Sequence, residues 1–499
     1  MSAAVLLDRP LDWRQVGAVA EGRARLELSE AARARIRAAH RRLLGIIEQG
    51  ARAYGVNTGV GALCDVVVTP SQRRELSRNI VMSHAVGVGP ALEPAQVRAI
   101  IAAQISNLAL GCSGVRLEVV AALAALLERD CLPEVPSQGS VGYLTHMAHI
   151  ACLLLGKGAA YAAGERLDAA AALGRVGLVP LTLEAKEGLS LVNGTPCAAG
   201  LTALALARTE RLLDWADLIG AMTFENLCGQ ISAFDADALS LRVSPALAQV
   251  GARLRGFLEG SAILAASAGR RTQDPLSLRA IPHVHGAVRE QFLYTAAAVD
   301  AELESVTDNP AIIGSDEAPR AVSEAHAVGA GVALAADALA TAVAELAAIS
   351  ERRLDRLVNP LVSGLPAFLA VDSGVGSGFM IAQYTAVALA VENRRQASPA
   401  SLDGGVTSAL QEDHLVHATA AAQKLCAIVA NAEAMLAIEL LAAAQAYDLS
   451  GVAAARAPRT EAAFRRVRAL VPTYRDDRPL AEDIARTVRL LRTEAADQG

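Results

Sequence analysis

Five short polar stretches interrupt the apolar segments of this 499-residue chain, and their residue types could carry acid–base and substrate-binding chemistry. They contain Tyr54 beside a glycine-rich loop, His84 after an apolar run, Asn193 before Gly-Thr, Arg279 after Asp-Pro-Leu-Ser-Leu, and Gln411 with Glu412. A tyrosine or histidine can transfer a proton, an arginine can hold a carboxylate through paired hydrogen bonds, and an amide can orient a polar substrate. Taken singly, such residues more often serve packing or a local hydrogen bond than function, so only their combination indicates a site.

Helices and the loops between them must position these residues. Hydrophobic residues make up 53% of the chain and aromatic residues only 3%, so the apolar mass is Ala, Leu and Val, which is typical of closely packed helices. The pattern predicts short strands or a hairpin within residues 159–183. It predicts helices over residues 29–53, 71–86, 94–110, 115–129, 143–155, 196–230, 285–305, 327–356, 376–397 and 412–447. Gln411 and Glu412 would then open the last long helix, where acids favour the positive end of the helix dipole.

The chain is expected to be mainly α, with a long-helix bundle as its core and a smaller mixed N-terminal part. Residues 1–195 form the predicted N-terminal region with the active-site loops, residues 196–455 the central bundle, and residues 456–499 a helical C-terminal cap. Neither a repeat nor a low-complexity linker divides these regions.

Charge and cysteine content exclude several partner classes. A formal net charge of −6 gives no basic surface for a phosphate backbone, so nucleic acid is not an expected partner. The seven cysteines are scattered without a C-x-x-C pair, which indicates reduced thiols in a cytoplasmic protein. The N-terminus lacks the pattern of a signal peptide, and acids interrupt apolar runs such as residues 327–350, so we expect buried helices and no membrane partner.

A metal site is a minor hypothesis. His146 and His149 are three residues apart, and His283 and His285 are two apart, but no H-E-x-x-H motif, cysteine pair or acidic calcium loop accompanies them. A Walker loop and a G-x-G-x-x-G motif are also absent from the sequence. We therefore expect neither a metal nor a cofactor.

The order of the motifs is more informative than any single one. From residue 54 to about residue 450 the chain resembles the aromatic amino acid ammonia-lyases, the family of histidine and phenylalanine ammonia-lyase. The matching stretches are Tyr54–Gly59, Ser83–Gly87, Gly139–Gly142, Lys186–Thr195, Gln273–Arg279, Val306–Pro310, Ser363–Phe368, Ser377–Gln383 and Gln411–His414. The resemblance implies the long-helix core shared with aspartase and fumarase, and a homotetramer whose active sites are each built by several subunits.

Carried over residue by residue, the resemblance implies a small-molecule lyase. Tyr54 would be the base that takes the substrate's β-proton, and Arg279 would hold the substrate carboxylate. Asn193 would bind the amino-acid end. His84 and Glu412, with Gln411 beside it, match positions that face the substrate ring in histidine ammonia-lyases.

One departure from the family concerns its prosthetic group. The family signature reads V-P-x-x-G-S-V-G-A-S-G-D-L, and its Ala-Ser-Gly cyclises into a methylidene-imidazolone that activates the amine as a leaving group. Here Gly142 is followed directly by Tyr143. The family's aromatic residues are also replaced: Leu276 stands for a tyrosine, and Ser323–His326 reads Ser-Glu-Ala-His in place of Gly-Asn-Phe-His.

These departures lead to the hypothesis of a carbon–nitrogen lyase that works without the methylidene-imidazolone. Its substrate would carry its own leaving group, as in a trimethylammonium betaine such as ergothioneine or hercynine, which the ergothionases of this family degrade. Tyr54, Tyr143 and Gly142 are the catalytic candidates, and Glu324 would attract the cation. One alternative is an enzyme of the same fold whose Tyr54 performs enolisation, addition or cyclisation in a biosynthetic pathway. A second alternative is an inactive homologue that acts as a binding or scaffold protein.

Overall fold

The computed structural model describes residues 3–402, 404–452 and 454–496 of the chain. The protein is 61% helical. The helices are α1 (Trp13–Ala20), α2 (Glu30–Glu48), α3 (Arg73–His84), α4 (Pro94–Ala109), α5 (Leu117–Glu128), α6 (Thr145–Leu154), α7 (Ala169–Arg175), α8 (Glu187–Val192), α9 (Pro196–Asn226), α10 (Ala236–Ser240), α11 (Pro245–Leu258), α12 (Ala262–Ser267), α13 (Leu276–Arg279), α14 (Ile281–Glu304), α15 (Ala330–Val358), α16 (Pro360–Ser363), α17 (Met380–Gln396), α18 (Ala418–Leu449), α19 (Pro458–Leu470) and α20 (Ala481–Thr493).

Short strands form four small sheets among the described residues. The strands are β1 (Ala3–Leu7), β2 (Ala24–Leu28), β3 (Val88–Ala91), β4 (Cys131–Pro133), β5 (Pro136–Gln138), β6 (Ala159–Ala162), β7 (Glu165–Asp168), β8 (Ala311–Gly314) and β9 (Pro319–Val322). β1 and β2 pair in parallel, β3 pairs with β5, β6 lies between β4 and β7, and β8 pairs with β9. The β6–β7 hairpin confirms the prediction for residues 159–183.

The chain forms two compact units. The first comprises Met1–Ala207, Thr295–Asp337 and Pro399–Cys426, and the second comprises Arg208–Tyr294, Ala338–Ser398 and Ala427–Gly499. The division into three consecutive regions that the sequence suggested stays a prediction.

The long apolar helices are largely buried. By length and composition alone, the described chain has three stretches that could cross a membrane, Glu187–Asn226, His326–Val358 and Ala418–Leu449. Their most apolar segments are 100%, 61% and 78% buried inside the protein, respectively. Packing therefore uses most of the apolar surface that the Ala- and Leu-rich sequence provides. The absence of a membrane partner stays a prediction.

A small apolar cluster in the first unit anchors the loop that carries Tyr54. Leu43 and Ile46 from α2 pack with Ala53 and Val56, which flank Tyr54, and with Ile312 from β8. Each of these five side chains is at most 4% exposed. The tyrosine is therefore held between two buried residues of its own loop, while its position in the loop leaves it half-buried.

The structure differs from the prediction at residues 411–414. The last long helix begins at Ala418, so Gln411 and Glu412 lie in the loop before it rather than in its first turn. Backbone hydrogen bonds in both directions pair Glu412 with Thr407 across this loop. The helix dipole therefore does not explain the acidic residues.

Candidate active site

The loop around Tyr54 is fixed by hydrogen bonds and by a close approach of backbone to side chain. The Asn57 amide spans the loop, since Oδ1 accepts from one backbone N–H and Nδ2 donates to a carbonyl, each at 2.8 Å. Gly55 has a φ of +61°, and a Cβ there would lie 2.3 Å from Leu189. The Gly61 N–H donates to the Tyr54 hydroxyl oxygen at 2.8 Å. That oxygen is thus already an acceptor for one donor, which favours its ionised form.

The turn at Gly142 and Tyr143 is pressed against the segment that leads into α18. Gly142 has a φ of +119°, and a Cβ on it would lie 2.4 Å from the Val416 carbonyl oxygen. The Thr419 hydroxyl donates to the Gly142 carbonyl at 2.6 Å. The Ser140 hydroxyl donates to the Tyr143 carbonyl at 2.7 Å. These contacts fix the direction in which the Tyr143 side chain leaves the turn.

The Tyr143 side chain reaches Glu412. Its hydroxyl donates to Oε2 of Glu412 at 3.4 Å, a long contact of the kind that active sites often show before a substrate binds. Burial raises the pKa of Tyr143 to about 12, with further contributions from the charges of Glu412 and Tyr54. Burial also raises the pKa of Tyr54, where the Gly61 N–H opposes the rise and the Glu412 charge adds to it. Tyr54, Tyr143 and Glu412 are therefore one electrostatically coupled group.

His84, at the end of α3, is a neutral ring with one free acceptor. Its Nδ1 lies 2.6 Å from the Ile80 carbonyl oxygen, which can only accept, so Nδ1 carries the proton. Burial lowers the pKa of His84 below 6.5, and the Ile80 hydrogen bond opposes this shift only in part. In the described part of the chain Nε2 has no hydrogen-bond partner, so it could accept from a substrate N–H.

The residues predicted for the amino-acid end are brought together in the first unit. The buried Asn193 donates from Nδ2 to the Asn309 carbonyl at 2.9 Å. The Asn309 side chain in turn accepts from the Glu324 N–H at 2.9 Å, and Oε1 of Glu324 lies 2.8 Å from Nδ1 of His326. Burial raises the pKa of Glu324, while His326 lowers it. Asn193, Asn309 and Glu324 thus form a hydrogen-bonded polar cluster that ends at the Glu324 carboxylate.

Sequence reasoning missed a buried ion pair beside this cluster. Lys186 donates to Asp308 at 2.7 Å and to Ser190 at 2.9 Å, and both charged side chains are at most 1% exposed. Lys186 has a φ of +69°, which is unfavourable for a residue other than glycine. Lys186 and Asp308 both lie in stretches that match the family motifs, Lys186–Thr195 and Val306–Pro310, and this was the signal in the sequence. Because Asp308 precedes Asn309, the pair fixes the backbone to which Asn193 binds.

Arg279 belongs to the second unit, where it ends the short helix α13. Its Nε donates to the Asp274 carbonyl at 3.1 Å. The Asp274 carboxylate is itself held by Arg271 at 2.8 Å and by the Gln230 N–H at 2.5 Å. Neither terminal nitrogen of Arg279 has a partner within the described residues, so both are available to a carboxylate. Leu276, at the other end of α13, is 63% exposed.

The remaining predicted positions are Gln411 and the histidine pairs. Gln411 is exposed, and within the described residues only its backbone is hydrogen-bonded. The Gly87 N–H donates to Nε2 of His149, whereas His146 contacts the Ser137 carbonyl and Gln423. Among the residues that the structure describes, no group of three or more His, Cys, Asp or Glu side chains could hold a metal ion.

Comparison with known proteins places the chain in a family. The family model "Aromatic amino acid lyase" matches residues 11–469. The chain belongs to the aromatic amino acid lyase family. It is 44% identical to a protein of Deinococcus radiodurans named histidine ammonia-lyase, over 97% of this chain and 92% of that protein.

Two solved structures of lyases have the same fold. Histidine ammonia-lyase from Trypanosoma cruzi is 35% identical with a TM-score of 0.90, and the match covers 99% of this chain and 94% of that one. The ergothioneine-degrading ergothionase from Treponema denticola, in complex with desmethyl-ergothioneine sulfonic acid, is 27% identical with a TM-score of 0.89, and the match covers 99% and 100%.

These findings confirm part of the prediction and correct another part. The mainly α fold, the family and the carbon–nitrogen lyase class are confirmed. The prediction of a lyase for trimethylammonium betaines is wrong, because relatives that are about 43% identical over nearly the whole chain are named histidine ammonia-lyase. Neither alternative, the biosynthetic enzyme or the inactive scaffold protein, gains support from them.

Proposed function

We propose that this lyase releases ammonia by β-elimination from an α-amino acid with an imidazole ring, with histidine as the first candidate. The names of its relatives support this substrate. The observation that carries the proposal is the coupled group of Tyr54 and Glu412, because it combines a proton-abstracting residue with a carboxylate that has acceptor capacity left. An imidazole N–H can use that acceptor, and a phenyl ring cannot.

In this proposal six of the predicted residues have one role each. Tyr54 takes the proton from the β-carbon, and the Gly61 N–H stabilises the phenolate that Tyr54 must form first. Glu412 accepts a hydrogen bond from the imidazole N–H, and His84 faces the ring. Asn193 binds the amino-acid end, and Glu324 attracts the ammonium group. Arg279 contributes a forked contact to the carboxylate.

The family's methylidene-imidazolone does not fit the residues present at its usual place. A single peptide bond joins Gly142 to Tyr143, and the sequence contains no Ala-Ser-Gly. The turn is also tightly packed, because a Cβ on Gly142 would lie 2.4 Å from the Val416 carbonyl oxygen. We therefore assign roles only to residues that the chain contains and derive no step through this group.

We further propose that the enzyme is a cytoplasmic homotetramer with shared active sites. All seven cysteines are free thiols, in agreement with a reducing compartment. On α17, Ile381, Tyr384 and Val391 recur at helical spacing and are 53–64% exposed, so this helix has an apolar face with no cover in one chain. Light scattering should give four times the chain mass of 51.6 kDa. A monomer that retains activity would contradict shared sites.

Substrate preference tests the proposal. We expect kcat/KM for histidine to exceed that for phenylalanine by roughly a hundredfold, because a site with unpaired ring acceptors rejects a ring without N–H donors. Ammonia release can be followed for both substrates with the same coupled assay. Equal or greater turnover of phenylalanine would contradict the assignment of an imidazole ring.

A further inference from the structure

Tyr143 is placed by constraints on both sides. The next residue, Leu144, has a φ of 82° and a ψ of −69° just before α6, a conformation that a leucine adopts only when its surroundings impose it. Before Tyr143, Gly142 accepts a hydrogen bond from Thr419. The direction of the Tyr143 side chain is therefore a property of the fold and not a free rotation of the turn.

The segment of residues 408–419 contacts the loop that carries Tyr54 and the turn that carries Tyr143. At its start, the Ser408 hydroxyl oxygen accepts from the Ala62 N–H at 3.1 Å, next to the Gly61 that binds Tyr54. At its end, Thr419 binds the turn that carries Tyr143. Glu412 lies between these two anchors. The distance between Glu412 and the two tyrosines is thus set by the same backbone.

The Glu412 carboxylate has spare capacity. In the described part of the chain, the Tyr143 hydroxyl is the one hydrogen-bond donor to this carboxylate, and it uses Oε2. Oε1 therefore remains an acceptor. Because its pKa is raised to about 12, Tyr143 keeps its proton at neutral pH and acts as a donor, not as a competing acceptor.

We propose that Tyr143 is a positioning residue for substrate selection: it holds one oxygen of Glu412 so that the other accepts a hydrogen bond from an imidazole N–H. This inference rests on the proposed function. Without the tyrosine hydroxyl the carboxylate could rotate or take up water, and the advantage of an imidazole ring over a phenyl ring would fall. Tyr143 itself need not touch the substrate.

A binding experiment tests this inference without relying on turnover. Imidazole-4-propionate and 3-phenylpropionate share the carboxylate and the chain length, lack the amino group, and differ in the ring. Calorimetric titration of the full-length enzyme should show roughly tenfold tighter binding of the imidazole acid. Tyr143→Phe should reduce this preference to about equal binding, as expected when a hydrogen bond to a charged group is lost. Tyr161→Phe is the same change at an exposed side chain of strand β6 and should leave the preference unchanged.

A second variant separates positioning from general damage. Glu412→Leu removes the acceptor and should abolish the preference as Tyr143→Phe does, and the double variant should lose no more than either single one, because both act on one contact. If Tyr143→Phe folds poorly, the Glu412 variant alone still tests whether the ring preference depends on this carboxylate.

Each result has a defined meaning. A wild-type preference that persists in Tyr143→Phe or in Glu412→Leu overturns the role of Tyr143 and leaves the proposed function in place. A wild-type enzyme that binds both acids equally, or neither, overturns the positioning role together with the assignment of an imidazole substrate.

Discussion

Two groups of titratable residues differ in how completely their hydrogen bonds are paired. In the second unit, Asp217 accepts from His285 at 2.8 Å and from Arg289 at 2.7 Å, and Arg353 makes a two-point contact with Glu439 at 2.7 and 2.9 Å. Each carboxylate oxygen of Asp217 and Glu439 has a donor. In the first unit, the Glu412 carboxylate has one long hydrogen bond within the described chain. Full pairing is typical of a structural cluster, and spare capacity is what a ligand requires.

The electrostatics of the two groups differ in the same sense. Burial alone would raise the pKa of Asp217, but the hydrogen bond from His285 and the charges of Arg289 and Arg253 hold it below its ordinary value. For Tyr54 and Tyr143, burial and the charge of Glu412 act together and raise the pKa. A shifted pKa therefore marks both regions. Of these two groups, as the structure describes them, only the one in the first unit also has an unpaired acceptor and, at Leu144, backbone held in an unusual conformation.

The largest expected effect is that of Tyr54→Phe on activity. Loss of the general base should lower kcat for histidine by about a thousandfold, or about 4 kcal/mol of activation free energy, because the β-proton then has no acceptor. Steady-state ammonia release measures it. Tyr161→Phe is the matched control and should retain full activity. Retention of a tenth or more of the activity by Tyr54→Phe would remove Tyr54 from the role of base.

The buried ion pair of Arg353 and Glu439 should show the opposite behaviour, with its effect on stability rather than on activity. Arg353→Met leaves Glu439 charged and buried, which should lower the free energy of unfolding by about 3–5 kcal/mol. Arg395→Met removes a 77% exposed side chain whose partner Glu392 is itself 36% exposed, and should cost less than about 1 kcal/mol. Urea unfolding compares them. If both variants are equally stable, the distinction between the two regions is not one of burial.

A smaller effect is expected for the carboxylate contact. Arg279→Lys keeps the charge but removes the fork, so kcat/KM should fall by about 10- to 100-fold, mainly through KM. The exposed Arg270→Lys, nine positions earlier in the sequence, serves as the control. An unchanged KM in Arg279→Lys would show that another residue binds the substrate carboxylate.

The smallest effect concerns pH and Tyr143. Its pKa rises from 10.0 in the unfolded chain to about 12 in the fold, so the folded state retains the proton longer. The stabilisation is present below pH 10 and is lost as pH rises towards 12, by about 1–2 kcal/mol after allowance for partial exposure. Tyr143→Phe should lack this part of the alkaline loss. Identical unfolding curves for both proteins between pH 9 and 11.5 would contradict the buried position of the hydroxyl.

The sequence predicted the long helices well because local pattern determines them. The predicted helix at 94–110 is observed as Pro94–Ala109. The one predicted at 29–53 begins after Ser29, whose side chain caps the helix by accepting from the Ala32 N–H. The helix expected from residue 412 begins at Ala418, since pairing of Glu412 with Thr407 overrides the local preference. The parallel pair of β1 and β2 was also missed, because five-residue strands give little periodicity.

The residues of the site could be predicted singly, but their contacts could not. Tyr54, Asn193 and Glu412 were identified from motif order. The hydrogen bond between Tyr143 and Glu412 joins residues 269 positions apart, and no local pattern encodes it. The buried pair of Lys186 and Asp308 was overlooked for the same reason.

One measurement tests the central claim most directly. Purified wild-type enzyme is incubated with histidine, and ammonia and the α,β-unsaturated acid are measured in the same samples, with Tyr54→Phe in parallel. We predict equal amounts of both products from the wild type and neither from the variant. Elimination from a trimethylated imidazole betaine, with no ammonia released from histidine, would contradict the proposed function.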